Sequence, residues 1–196
     1  MRGFFIVIEG PDGSGTTKHC ALLAERLTQE GKKVLRTHEP TDGPVGSAIR
    51  SDLRAGVSFT PLDLQRRFCE DRAWHIEHVI EPALAKSATV ISDRYFHSTL
   101  AYGLALGIDR ETLNAMNTKF IRPDETIFLL PSFEVLTERM GRRDRTDVLE
   151  QTELQRNVYE AYRTLAKEDP SIIVIDTAGA PQEVARTIFA AAISRT

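Results

Sequence analysis

Four short runs, Phe4 to Ile8 (FFIVI), Thr89 to Ser92 (TVIS), Thr126 to Leu130 (TIFLL) and Ile172 to Ile175 (IIVI), are apolar along their length instead of on alternate residues. A strand with one face in water alternates, so continuous runs of this kind predict strands buried on both faces. Lys33 to Thr37 (KVLRT) is a weaker fifth candidate. Helical patterns fill the intervals, at about 16–30, 44–55, 61–86, 98–120, 132–141, 148–168 and 181–194. Strand alternating with helix predicts an α/β chain whose central parallel five-stranded sheet is flanked by helices.

Punctuation supports these bounds. Thr60-Pro61 with Asp63 has the form of an N-cap, a proline at the first helical position and an acid in the first turn, and Pro181 with Glu183 repeats the device. Pro82 is expected to end or kink its helix near Glu81. No repeat or Pro/Gly/Ser linker interrupts the 196 residues, which predicts a single domain. The 25 Lys and Arg against 28 Asp and Glu leave a net charge of −3, with no general field for a nucleic acid polymer or an anionic membrane. Cys20 and Cys69, the only cysteines, lack metal or disulfide spacing. Glu9 cuts the N-terminal apolar run too early for a signal-peptide core, and no stretch is long enough to span a bilayer. The expectation is a soluble cytoplasmic chain with no membrane partner.

The first strand runs into Gly10-Pro11-Asp12-Gly13-Ser14-Gly15-Thr16-Thr17 and then a helix. Gly10 and Gly15 are spaced as in GxxxxGK[ST], whose backbone N–H groups and helix dipole cradle phosphate oxygens. Thr17 falls where a hydroxyl ligates magnesium. The lysine expected after the last glycine is Thr16, and the nearest lysine is Lys18. Two helical positions amount to roughly 200°, so Lys18 is expected to project away from the phosphates. Ser92-Asp93-Arg94-Tyr95 ends the third run and places a carboxylate at a strand's carboxyl end, where Asp93 can hold magnesium and Arg94 a phosphate. An Asp–Arg ion pair is the structural alternative. His75 and His78, at i,i+3, could formally bind a metal, but no third ligand is apparent.

These segments, taken with THEP at Thr37–Pro40, FCEDRAWH at Phe68–His75, SDRYFHSTLAY at Ser92–Tyr102, RPDETIFL at Arg122–Leu129 and RRDRTD at Arg142–Asp147, resemble the thymidylate kinase family in order and spacing across nearly the whole chain. The resemblance implies a P-loop nucleoside monophosphate kinase fold with a short arginine-rich lid at about 139–149. It implies a transferase that moves the γ-phosphoryl group of ATP, with Mg²⁺, to dTMP, giving dTDP and ADP for nucleotide biosynthesis. Gly10 to Thr17 would hold the donor phosphates, and Thr17 and Asp93 the metal. Asp12 would accept from the sugar 3′-hydroxyl, Phe68 would stack on thymine, and Arg72, one turn on, would reach the base O4. Arg94 would clamp the 5′-phosphate, with Arg50 a weaker candidate for that anion. Glu39 is placed at the substrate, Thr99 at the base edge, and Tyr102 against the sugar C2′.

Gly13 stands where some members of that family carry an arginine, and the lid is correspondingly rich, so Arg142, Arg143 and Arg145 are expected to meet the transferring group. Adenine is expected near the loop at 176–181. His38, Gly103 and Leu130 depart from the family's usual Arg, Gln and Asp. A homodimer is implied by the resemblance alone. Two alternatives remain: a nucleotide-binding protein with little or no kinase activity because the loop lysine is missing, and a kinase for another nucleoside monophosphate or a deoxynucleoside. A GTP switch would need an NKxD motif, which Asn117-Thr118-Lys119-Phe120 does not supply.

Overall fold

In a computed structural model, residues 2–141 and 148–193 are described, with the backbone alone at 148–151. Among the described residues β1 (Phe5–Glu9), β2 (Val34–His38), β3 (Thr89–Asp93), β4 (Glu125–Leu129) and β5 (Ile173–Ile175) form one parallel sheet in the order β2-β3-β1-β4-β5. All five expected strands are present within a residue or two of their expected bounds. The α/β fold expected from the sequence is therefore the observed one.

The continuous apolar runs are explained by the two cores. Phe5 and Val7 point into one cluster and Ile6 and Ile8 into the other, so alternate residues of β1 serve opposite faces. α1 (Thr16–Gln29) and α9 (Pro181–Ile193) cover the second face through Cys20, Leu23, Leu27, Val184 and Ile188. The first face is covered by α3 (Pro61–His75), α4 (Glu81–Ala85), α5 (Phe96–Ala105), α6 (Arg110–Asn117) and α8 (Val148–Glu168). α2 (Pro44–Arg54) packs on α3, and α7 (Phe133–Gly141) follows β4.

Two expected helices differ in detail. The long pattern at 98–120 is two helices, because Gly107 turns left-handed at φ 83° and Asp109 caps α6 by accepting from Thr112 N at 2.8 Å. Pro82 does not end its helix. A π-helical turn at Ile76–Ile80 widens the backbone just ahead of the ring, so the chain passes from α3 into α4. The Thr60 cap forms as expected, its hydroxyl accepting from Asp63 N at 3.1 Å. Both cysteines are buried free thiols. No described helix is long and apolar enough to cross a membrane.

Candidate active site

β1 and β3 are hydrogen-bonded neighbours, with Ile8 opposite Asp93, so the loops leaving their carboxyl ends share one crevice. The glycine loop leaves β1 there. Gly13 (φ 83°) and Gly15 (φ 93°) take conformations that L side chains avoid, which turns the loop back into α1. At Gly13 there is also little room: a Cβ would lie 3.3 Å from both Leu136 O and Met140 Cγ of α7. An arginine at this position would strain the loop and press on α7.

α1 begins on Gly15 with no side-chain cap and no acid in its first turn, so no side chain of its own caps its first N–H groups. They open onto a cavity of about 840 Å³ lined by the loop, Lys18, His19, Arg94, Arg139, Thr177, Gly179 and Pro181. Thr16, where the motif carries lysine, is buried. Lys18 is nevertheless among the residues that line the cavity. Side chains lean toward a helix N-terminus, so the long stem of the exposed Lys18 is able to reach the cavity that its residue borders.

Asp93 and Thr17 stand side by side. Thr17 Oγ1 donates to Asp93 Oδ2 at 2.5 Å, while Asp93 Oδ1 is buried with no partner among the described residues. A hydroxyl and a carboxylate oxygen, with one carboxylate oxygen unspent, are the hard donor set that magnesium prefers, so these residues fit that ion.

Arg94 follows Asp93 in a left-handed conformation, φ 71°, which is costly for any residue but glycine and concentrates at functional sites. Its Nη2 donates to Asp12 Oδ1 at 2.7 Å, its Nη1 to Ser98 Oγ at 3.2 Å, and its guanidinium lies 5.6 Å from the Tyr102 ring. Burial pushes the Tyr102 phenol up to about 12, so it stays protonated beside this pair. Gln155 of α8 also donates to Asp12, at 3.2 Å. Beneath them Glu9, fully buried, accepts from Tyr95 N, Ser98 N, Ser98 Oγ and Tyr162 Oη; burial raises its pKa.

A second network lies between α3, α5 and α6. Arg72 is almost fully buried, with Nε and Nη2 donating to Glu39 Oε2 at 2.9 and 2.8 Å, Nη2 to Thr99 Oγ1 at 3.0 Å and Nη1 to Asn117 Oδ1 at 2.7 Å. Glu39 is shared with His75 Nδ1, whose Nε2 shares a hydrogen bond with Thr37 Oγ1. His75 is thus a packing histidine. His78 stacks on Trp74 at the surface, and no metal-binding group of three or more His, Cys, Asp or Glu occurs among the described residues. Phe68 is half-buried and belongs to neither core cluster.

The structure therefore brings Thr17 to Asp93, Asp12 to Arg94 and Tyr102, and Glu39 and Thr99 to Arg72. Arg50 stands apart: its guanidinium donates to the Pro40 and Thr41 carbonyls and to Asp42, and so braces the loop after β2. Arg142, Arg143 and Arg145 lie outside the described residues. Gly103 serves packing: a Cβ there would meet Leu113 Cδ2 at 2.4 Å, so it is the approach of α5 to α6 that a side chain would obstruct. Asn117, Gln155 and Glu9 were given no site role from sequence, whereas Arg139 falls in the expected lid span and Thr177 in the expected adenine loop. Arg139 and Thr177 close the back of the cavity, Arg139 donating to Gly13 O, Thr177 Oγ1 and Thr177 O, and Thr177 donating to Ser14 O at 2.9 Å.

Comparison with known proteins agrees with this geometry. The thymidylate kinase family profile matches residues 8–188. A probable thymidylate kinase of Thermococcus gammatolerans is 37% identical over 195 residues, covering 95% of this chain and 94% of that one. Another, of Pyrococcus horikoshii, is 38% identical, covering 97% and 96% of the two chains. The thymidylate kinase of Synechococcus sp. (strain JA-2-3B'a(2-13)) is 40% identical, covering 94% and 92%. Full-length matches of this kind, on a parallel sheet that carries the glycine loop and the Asp93-Arg94 pair at the ends of adjacent strands, place the chain in the thymidylate kinase family.

Proposed function

We propose that this chain transfers the γ-phosphoryl group of ATP to dTMP, forming ADP and dTDP. The observation that carries the reading is the pairing of two sets of groups in one crevice. Thr17 and Asp93 stand beside the phosphate loop, and Asp12 and Arg94 face each other at 2.7 Å from the loop and the neighbouring strand. The first set suits a polyphosphate donor and the second a phosphate-bearing acceptor with a sugar hydroxyl.

The loop amides and the start of α1 hold the donor phosphates, with adenine toward the loop at 176–181. Arg94 grips the acceptor phosphate with its planar fork, releasing Asp12 to accept from the 3′-hydroxyl. Phe68 packs on the base, whose edge meets the Arg72–Thr99 pair, and Tyr102 lies under the sugar. Bound magnesium at Thr17 and Asp93 would neutralise phosphate charge. The acceptor is already an anionic oxygen, so no side chain need remove a proton. Catalysis consists of positioning and charge. Arg142, Arg143 and Arg145 are assigned to the transferring group as part of a lid at about 139–149 on a single kinase domain.

The test is ADP release coupled to dTMP, run across a panel of monophosphates. Turnover with dTMP well above the others is expected; no turnover at high enzyme concentration defeats the reading. A cytoplasmic homodimer completes the proposal, and sedimentation equilibrium giving the mass of one chain at micromolar concentration would remove the dimer.

A further inference from the structure

The loop lacks the ammonium that its motif supplies, because the Thr16 side chain ends in an uncharged hydroxyl and is buried. Three described cations line the cavity: Lys18, Arg94 and Arg139. Arg139 is committed to the Gly13 carbonyl and to Thr177, and Arg94 to Asp12 and Ser98. Lys18 is exposed on the wall and makes no hydrogen bond or ion pair with another described residue. His19, buried beside it, is no substitute cation: burial, then the nearby Lys18 and Arg139 charges, hold its imidazole below the usual histidine range.

The position of Lys18 is itself unfavourable. It is the third residue of α1, where the helix dipole is positive and no acid of the first turn offsets it. The dipole disfavours a cation at this end of a helix in the empty protein, and an arriving polyphosphate offsets that cost. Local rules broken in this way occur where a chain gives up stability for function.

We propose that Lys18 is a ligand of the donor polyphosphate and takes over from the ammonium that Thr16 lacks. The inference rests on the phosphoryl-transfer reading and specifies the donor half of that site. Lys18 meets the phosphates from the α1 side of the loop, while the loop amides hold them from beneath.

The test is calorimetric titration with ADP and, separately, with inorganic tripolyphosphate, alongside melting of the unliganded protein. Lys18→Met is expected to weaken both ligands by about tenfold or more, the worth of one charge-assisted hydrogen bond. Its melting temperature without ligand is expected to be unchanged or higher. A lysine needed only for structure would lower both. Lys18→Arg, which keeps the charge, is expected to stay within about threefold of the parent, and Lys32→Met, a surface cation away from the cavity, to have no effect. The proposal is overturned if Lys18→Met binds tripolyphosphate as the parent does, if Lys32→Met loses as much, or if the Met and Arg variants lose equally. A parent that binds tripolyphosphate through Lys18 and yet makes no dTDP would sink the kinase reading and leave this one standing.

Discussion

Arg94→Met is expected to lower kcat/KM for dTMP by about 10³ while leaving ADP affinity within about twofold. The guanidinium is the described cation that bridges the β3 end to Asp12, at 2.7 Å, and a thioether supplies neither its charge nor its fork. Removing one preorganised charge from a phosphoryl-transfer site typically costs a few hundredfold or more. The variant also leaves Asp12 unopposed, which repels an incoming phosphate and adds to the loss. Steady-state kinetics with dTMP varied, plus calorimetry with ADP, separates the acceptor side from the donor side. A loss below tenfold would mean that Arg94 is a structural partner of Asp12 and Ser98.

The second large effect concerns stability and pH. His97 is 6% exposed, its ring 3.9 Å from Phe96 and edge-on to Phe128 at 5.0 Å, and its Nδ1 has no partner among the described residues. Burial, reinforced by the Arg122 charge, lowers its pKa from the ordinary 6.5 to about 3, against a small opposing pull from Asp169. Between those values the unfolded chain carries a proton that the folded chain excludes. Unfolding then takes up a proton, so stability increases with pH across the window and falls as the solution is acidified. The full difference is on the order of 5 kcal/mol. Glu9 acts in the opposite sense, since burial raises its folded pKa and it loses stability as pH climbs through that value. His97→Leu isolates the histidine. Urea unfolding from pH 7 to pH 4 should give a shallower decline in the variant, and its advantage over the parent should grow by about one proton's slope as pH drops. Parallel profiles would show that His97 titrates normally.

How far the sequence reached depends on the range of the interactions involved. Strands were legible because burial on both faces leaves a local mark, the unbroken apolar run. The glycine loop was legible because backbone geometry of that kind needs glycine at fixed spacing. The break at Gly107 and Asp109 had a local signal as well, a glycine followed by a capping acid two residues on, but the apolar pattern continuing through it masked the boundary. The π turn before Pro82 had none, because a widened turn and a kink answer the same steric problem.

The site divided along the same line. Asp93, Arg94 and Thr17 could be placed from their positions at strand and helix ends. Asn117 could not, since its hold on Arg72 joins residues 45 apart in sequence. Glu9 looked like a polar interruption that merely closed a strand, whereas its partners include Tyr162, 153 positions away. For Lys18 a rotation angle about the helix axis was too coarse a guide, since it leaves out both the lean of the side chain and the length of its stem.

The tie between Thr177 and Ser14 spans 163 positions, so the back of the phosphate cavity is supplied by a segment made long after the glycine loop. A nascent chain emerging from the ribosome has its glycine loop early but lacks the wall that Thr177 and Arg139 build around it. A fragment that stops before Thr177 carries the signature loop without this wall of its pocket.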